Sequence, residues 1–177
     1  MIKEPIIIVA GEPNSIFFEI FFKSLKDNEF KSPLIIIGSK KLLKEQMLKL
    51  GYTYELNNLN KDFQEFKKLN NKKINLINVD YDFKKCFEKI TSKSNKYIND
   101  TFKTALNFIK KNNLSKFING PVSKKTFLKG KTLGITEYLA KKTKTNEVAM
   151  LIFNKDLSVS PLTTHLALKN VHKEITT

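Results

Sequence analysis

Arginine is absent. All 32 basic residues are Lys, so the chain lacks the rigid guanidinium fork that reads guanine edges and grips phosphates at two points. The formal net charge of +15 therefore predicts no specific nucleic-acid partner. The lysines are scattered through the sequence in company with many Asn, which predicts a solvated basic surface whose weak pull on polyanions fades with salt. Cysteine is nearly missing too: Cys86 stands alone, which excludes an internal disulfide. No apolar run approaches the roughly 18 residues of a membrane span. The run Ile6 to Ala10, ended by Gly11-Glu12, is too short for a signal-peptide core. These absences predict a cytoplasmic protein that does not enter a membrane. No internal repeat and no interdomain linker interrupts the chain.

What is present is length enough for a full-sized domain, 177 residues with 41% apolar content, compatible with a packed core. Pro5 to Ala10 is a continuous β-branched run, the pattern of a strand covered on both faces. Phe18, Phe21, Phe22 and Leu25 then recur at helical spacing, with Ser15 or Asn14 as N-cap. The plan repeats with a strand over Leu34 to Ile37, Gly38-Ser39 as turn and cap, and a helix through Leu43, Met47 and Leu50 that stops at Gly51. Thr53 to Leu56 is a further strand candidate. Residues 57 to 72 form a polar excursion with a short helical candidate at Phe63, Phe66 and Leu69. Ile74 to Val79 is a strand, and Ser94 to Asn112 is the clearest helix. Later, Thr136 to Lys142 reads as helix, Val148 to Phe153 and Leu157 to Leu162 as a hairpin turning at Asn154-Lys155-Asp156, and Leu168 to Ile175 as helix. Alternation of strands and helices predicts an α/β sandwich.

The most informative stretch runs from Phe117 to Glu137. The apolar run there stops at Gly120-Pro121 and is followed by Ser123, Lys124 and Lys125, a strand opening onto a turn and a helix start. Backbone N–H groups at such a junction favour an anion, with Lys124 or Lys125 nearby.

Four ordered stretches carry a resemblance. Gly11-Glu12-Pro13, Asn119-Gly120-Pro121-Val122-Ser123-Lys124, Gly134-Ile135-Thr136-Glu137 and Thr163-Thr164-His165-Leu166-Ala167-Leu168 resemble the 4-hydroxythreonine-4-phosphate dehydrogenase family of pyridoxal phosphate (vitamin B6) synthesis. The resemblance implies an α/β/α sandwich like that of isocitrate and isopropylmalate dehydrogenases, assembled as a homodimer. It covers about the first half of a typical member, so the fold is expected to be truncated. Residues 1–122 would be the amino-terminal part of the first α/β lobe, and 123–177 the incomplete start of a second, dimer-forming lobe. The activity implied is oxidation of 4-phosphooxy-L-threonine with NAD, followed by loss of carbon dioxide to give 3-amino-2-oxopropyl phosphate. A divalent metal (zinc, magnesium or cobalt), held by three His in the family, would polarise the reacting oxygen.

Residue by residue, the resemblance implies that His165 is a metal ligand; the alternative is a hydrogen-bonded core or rim histidine. His172 matches no role and is expected at the surface. Thr136 matches a substrate-contacting Thr or, alternatively, serves as a helix N-cap, and Lys124 stands by the substrate. Ile135 replaces a substrate-binding His of the family and can neither donate a hydrogen bond nor carry charge. Asn14-Ser15-Ile16-Phe17-Phe18 stands where the family has a Gly-rich turn, and bulky Phe there closes off approach of a ligand to the backbone. One His cannot hold a transition metal tightly, so the chain alone is expected to be inactive. A non-catalytic phospho-ligand-binding or assembly module is the alternative.

Overall fold

The computed structural model describes residues 3–130, 132, 134–145, 147–163 and 166–175. They divide into two compact units, Met1–Ile135 and Thr136–Thr177.

In the first unit five parallel strands form one sheet: β1 (Ile6–Val9), β2 (Leu34–Gly38), β3 (Leu56–Leu59), β4 (Ile74–Asn78) and β5 (Phe117–Asn119), in the order β3-β4-β2-β1-β5. The β-branched runs of β1 and β2 lie at the centre, where both faces are covered, and every residue of β2 is buried. This is the environment that continuous apolar strands require. Ile8, Ala10, Leu34, Ile36 and Leu76 line one face, against α1 (Phe17–Asp27) and α2 (Lys40–Lys49). Phe18, Phe21 and Phe22 are the buried stripe of α1, as the spacing predicts. The alternate face packs on α3 (Asn95–Asn112), whose Ile98, Phe102, Ala105 and Phe108 are buried.

Three local expectations need correction. Neither Ser15 nor Asn14 is the α1 N-cap; that position is Ile16. Ser15 Oγ accepts the N–H of Phe17 at 3.3 Å, while Asn14 Oδ1 accepts the N–H of Glu88 at 3.2 Å. The third strand begins at Leu56, where the expected one ends. Tyr54, within the expected strand, instead stacks on Phe22 with ring centroids 6.1 Å apart, and Tyr52 lies tilted against the same ring at 5.3 Å. Asn57 and Asn58, within the expected polar excursion, lie in β3 because the polar group of Asn57 is satisfied across the sheet: its Nδ2 donates to Asn75 Oδ1 at 2.9 Å. Buried Asn75 in turn donates to the carbonyls of Leu34 and Asn70.

The second unit holds most of α4 (Ile135–Thr143) and the short α5 (Val171–Glu174), which a 3-10 turn at Leu168–Asn170 precedes. Its hairpin turns where expected, Asp156 N–H bonding Asn154 Oδ1 at 2.9 Å. The two strands, however, reduce to one antiparallel bridge, Ile152 with Val159. Side chains such as Phe153, 76% exposed, have no apolar face holding them in alternation, and a lone hairpin is marginal without one. No helix among the described residues is long and apolar enough to cross a membrane.

Candidate functional site

β1 and β5 are neighbours, yet the chain leaves β1 by α1 on one face and reaches β5 by α3 on the other. Ligands of open parallel sheets bind at such a reversal, outside the carboxyl ends of the strands. Two of the motif turns meet there. Gly11, at φ +74°, faces the turn after β5: a Cβ on it would lie 2.4 Å from Pro121 O. A Cβ on Gly120 would lie 2.2 Å from Ala10 O. With both side chains absent, Glu12 N–H donates to Pro121 O at 2.8 Å and Gly120 N–H to Val9 O at 2.7 Å.

Glu12 is 2% exposed. Its Oε2 lies 2.8 Å from Ser94 Oγ, at the foot of α3, and its Oε1 accepts the N–H of Asn14 at 3.3 Å. Ser94 Oγ is also 3.0 Å from Thr91 O. A hydroxyl has one proton, so it serves Thr91 O best when Glu12 brings its own. Burial raises the Glu12 pKa against the lowering effect of these hydrogen bonds. Nearby, the buried Tyr97 hydroxyl accepts the N–H of Ser39 at 3.0 Å, and burial pushes its pKa above the ordinary phenol value. Neutral Tyr97 thus serves as an uncharged anchor for the start of α2.

A carboxyl whose pKa is raised by folding stabilises the fold most below its unfolded value, here 4.5, and that contribution is lost as pH rises through the folded value. Glu12→Gln retains an acceptor for Asn14 and gains a donor for Ser94 Oγ. It should therefore flatten the pH dependence of stability above 4.5 and equal or exceed the parent in stability at neutral pH. Urea denaturation across that range checks this, and a variant that is less stable at neutral pH contradicts it.

Lys124 begins a five-residue π turn, Lys124–Leu128, instead of a regular helix. Ser123 Oγ accepts the N–H of Thr126 at 3.2 Å, and Phe127 and Leu128 anchor the turn in the core. One turn carries little of the dipole that a long helix offers an anion, so charge attraction rests on the exposed Lys124 and Lys125. Ile135 and Thr136 are half-buried residues at the start of α4. Thr136 is not the N-cap, because the helix begins one residue before it. Glu137, in the same first turn, has a buried Oε2 with no hydrogen-bond partner among the described residues. His165 and Thr164 lie outside the described residues. His172 is exposed on α5, as expected.

No group of three His, Cys, Asp or Glu side chains among the described residues could hold a metal. In the turn after β5, a Cβ on Gly120 would meet the carbonyl of Ala10 and the Phe17 ring, so this turn packs tightly against the one after β1. Glu12 was visible in the sequence only as part of a motif. Its bond to Ser94 joins residues far apart in the chain, and Tyr97 shows merely as one more apolar position of α3.

The family model described as pyridoxal phosphate biosynthetic protein PdxA matches residues 29–177. A curated 4-hydroxythreonine-4-phosphate dehydrogenase from Sulfurihydrogenibium sp. is 28% identical over 172 residues, covering 96% of this chain and 52% of its own. The crystal structure of a 4-hydroxythreonine-4-phosphate dehydrogenase from Burkholderia phymatum superposes with a TM-score of 0.76 at 20% identity, over 94% of this chain and 52% of that one. Its counterpart from Klebsiella pneumoniae gives 0.77 at 22% identity, over 95% and 53%. The chain thus spans about half the length of the relatives it matches, and its α/β sheet is theirs. The ordered motifs and the family match over residues 29–177 agree: this chain belongs to the PdxA family of pyridoxal phosphate biosynthetic proteins.

Proposed function

We propose that the chain supplies the amino-terminal half of a cytoplasmic, homodimeric dehydrogenase of vitamin B6 synthesis. The reaction is the NAD-dependent, divalent-metal-dependent oxidation and decarboxylation of 4-phosphooxy-L-threonine to 3-amino-2-oxopropyl phosphate. The name of the Sulfurihydrogenibium relative supports this reading. The observation that carries it is the joining of Gly11-Glu12-Pro13 to Gly120-Pro121 at the sheet's reversal, beside Ser123 and Lys124.

In this reading Lys124 attracts the substrate phosphate as an ammonium charge, the Thr136 hydroxyl hydrogen-bonds the substrate, and Ile135 offers only an apolar wall. Losing a polar contact there weakens the hold on substrate by about 1 to 3 kcal/mol. His165 is one proposed metal ligand; a bound metal would act as Lewis acid on the substrate oxygen. In this reading the remaining metal and NAD contacts come from the part of the family's chain that this one does not span. Exposed Val148, Leu151, Phe153, Leu157 and Leu162 in the second unit support a homodimer, since apolar surface of this extent favours a protein partner.

A chimera of residues 1–177 with the unmatched part of the Sulfurihydrogenibium relative tests the reading. NADH formation that requires substrate and metal, that disappears in His165→Ala and that rises about tenfold in kcat/KM in Ile135→His is the expected outcome. An inactive chimera beside an active relative would overturn it. Ile135 and the closed turn at Phe17 favour a second reading, the non-catalytic phospho-ligand module. Calorimetric binding of phosphate esters without NAD binding or turnover would support that one.

A further inference from the structure

Asn119 is the one Asn of the chain that Gly follows. Such a pair is chemically labile in an unfolded chain, because the Gly nitrogen has no side chain beside it to hinder its attack on the Asn amide. The Gly cannot be exchanged for a more sheltering residue, since a Cβ at position 120 would lie 2.2 Å from Ala10 O. The close approach of the two turns thus sets the most reactive neighbour behind the Asn that ends β5. That strand is three residues long and lies at the edge of the sheet, where local opening costs least. Yet the native fold guards the pair. The Asn119 side-chain amide donates to Gly120 O at 3.1 Å, so the group to be attacked lies against the attacking residue. Attack requires the Gly120 nitrogen to give up its proton, and that N–H is held by Val9 O at 2.7 Å. It also requires the Asn119 backbone to turn out of the extended conformation that its register beside Val9 imposes. The bond from Glu12 N–H to Pro121 O at 2.8 Å fastens the next residue of the turn.

We propose that Asn119 is a self-modification site, shut while β5 pairs with β1 and opened when the two separate, whose reaction makes the separation permanent. In the opened chain the Gly120 nitrogen loses its proton to solvent hydroxide and bonds Asn119 Cγ. The side-chain nitrogen takes up a proton and leaves as ammonia, which closes a five-membered succinimide ring. Water then adds to one of the two ring carbonyls and breaks its C–N bond, leaving an aspartyl or an isoaspartyl residue at position 119. The isoaspartyl product carries one extra carbon in the main chain, which puts the Gly120 nitrogen out of step with Val9 O. The aspartyl product replaces the N–H donor that faces Gly120 O with a carboxylate oxygen, which that carbonyl repels. Either product leaves the clasp between the two turns weaker than before. The proposal does not depend on the enzymatic reading, and its test reads no activity.

The chain is incubated at mildly alkaline pH, native and in guanidinium chloride, while mass spectrometry follows the peptide that holds Asn119. Conversion should be at least about tenfold slower in the native chain, the ratio being the opening equilibrium of β5. Phe102→Ala, which removes the ring beside Phe117 of the same strand, should speed native conversion and leave the denatured rate unchanged. Guanidinium below the unfolding midpoint should speed it as well, a second lever that needs no variant. Asn119→Gln should nearly abolish the acidic form of this peptide. The converted chain, separated on ion exchange by its extra negative charge, should unfold at a lower denaturant midpoint than the parent. Equal native and denatured rates would overturn the proposal, as would a native rate that neither lever moves or a denatured chain that does not convert. A converted chain with the parent's midpoint would overturn the permanent loss.

Discussion

Phe102→Ala should lower the free energy of unfolding by about 3 to 5 kcal/mol, the usual cost of emptying a buried aromatic site. Phe102 is fully buried. Its ring lies 6.2 Å from that of Phe117 in β5 and 6.2 Å from that of Phe127 in the π turn. It therefore holds both the strand that delivers Gly120 and the turn that follows Ser123. The cavity left by Ala has walls on two separate segments, and neither can close it without moving the candidate site. Urea denaturation measures the effect as a lower midpoint with an unchanged slope. A loss below about 1 kcal/mol would mean that the neighbouring segments collapse freely into the space.

Gly120→Ala should cost about 1 to 3 kcal/mol or more, as overpacking does when neighbours cannot yield. The new Cβ would stand 2.2 Å from Ala10 O, 2.7 Å from Ala10 C and 2.9 Å from Phe17 Cδ2. The ring can swing aside; the backbone of a central strand cannot. Relief must come from separating the two turns, which stretches the bonds of Gly120 N–H to Val9 O and of Glu12 N–H to Pro121 O. Hydrogen exchange at the Glu12 amide should accelerate accordingly. The double variant with Phe17→Ala distinguishes the two obstacles. Recovery of stability on adding that second change would place the obstruction in the ring, and its absence places it in the backbone.

Where apolar spacing decided the structure, the sequence was readable. Phe18, Phe21 and Phe22 mark the buried side of α1, and Ile6 to Val9 marks a strand with two covered faces. The failures share a cause: the deciding contacts join distant residues. Tyr54 looks like a strand residue and instead stacks beside Phe22. Asn57 looks like a loop residue until Asn75 is placed opposite it. The hairpin failed differently: within the expected strands only Ile152 and Val159 pair, and exposed neighbours such as Phe153 have no apolar face among the described residues to pack on. At the candidate site, motif order was legible. The link between Glu12 and Ser94 was not, because neither the spacing nor the type of these residues announces it.

The central place of β1 governs the order in which the fold can be completed during synthesis. Its register with β2, Ile7 beside Ile35, can form soon after translation starts, whereas Ile7 beside Phe117 must await nearly the whole first unit. Until then the most apolar strand of the nascent chain stands at a raw border of an unfinished sheet. Such a border invites pairing with foreign strands, and distant partners join late. A ribosome paused shortly before Phe117 would thus carry this polypeptide in its most chaperone-dependent form.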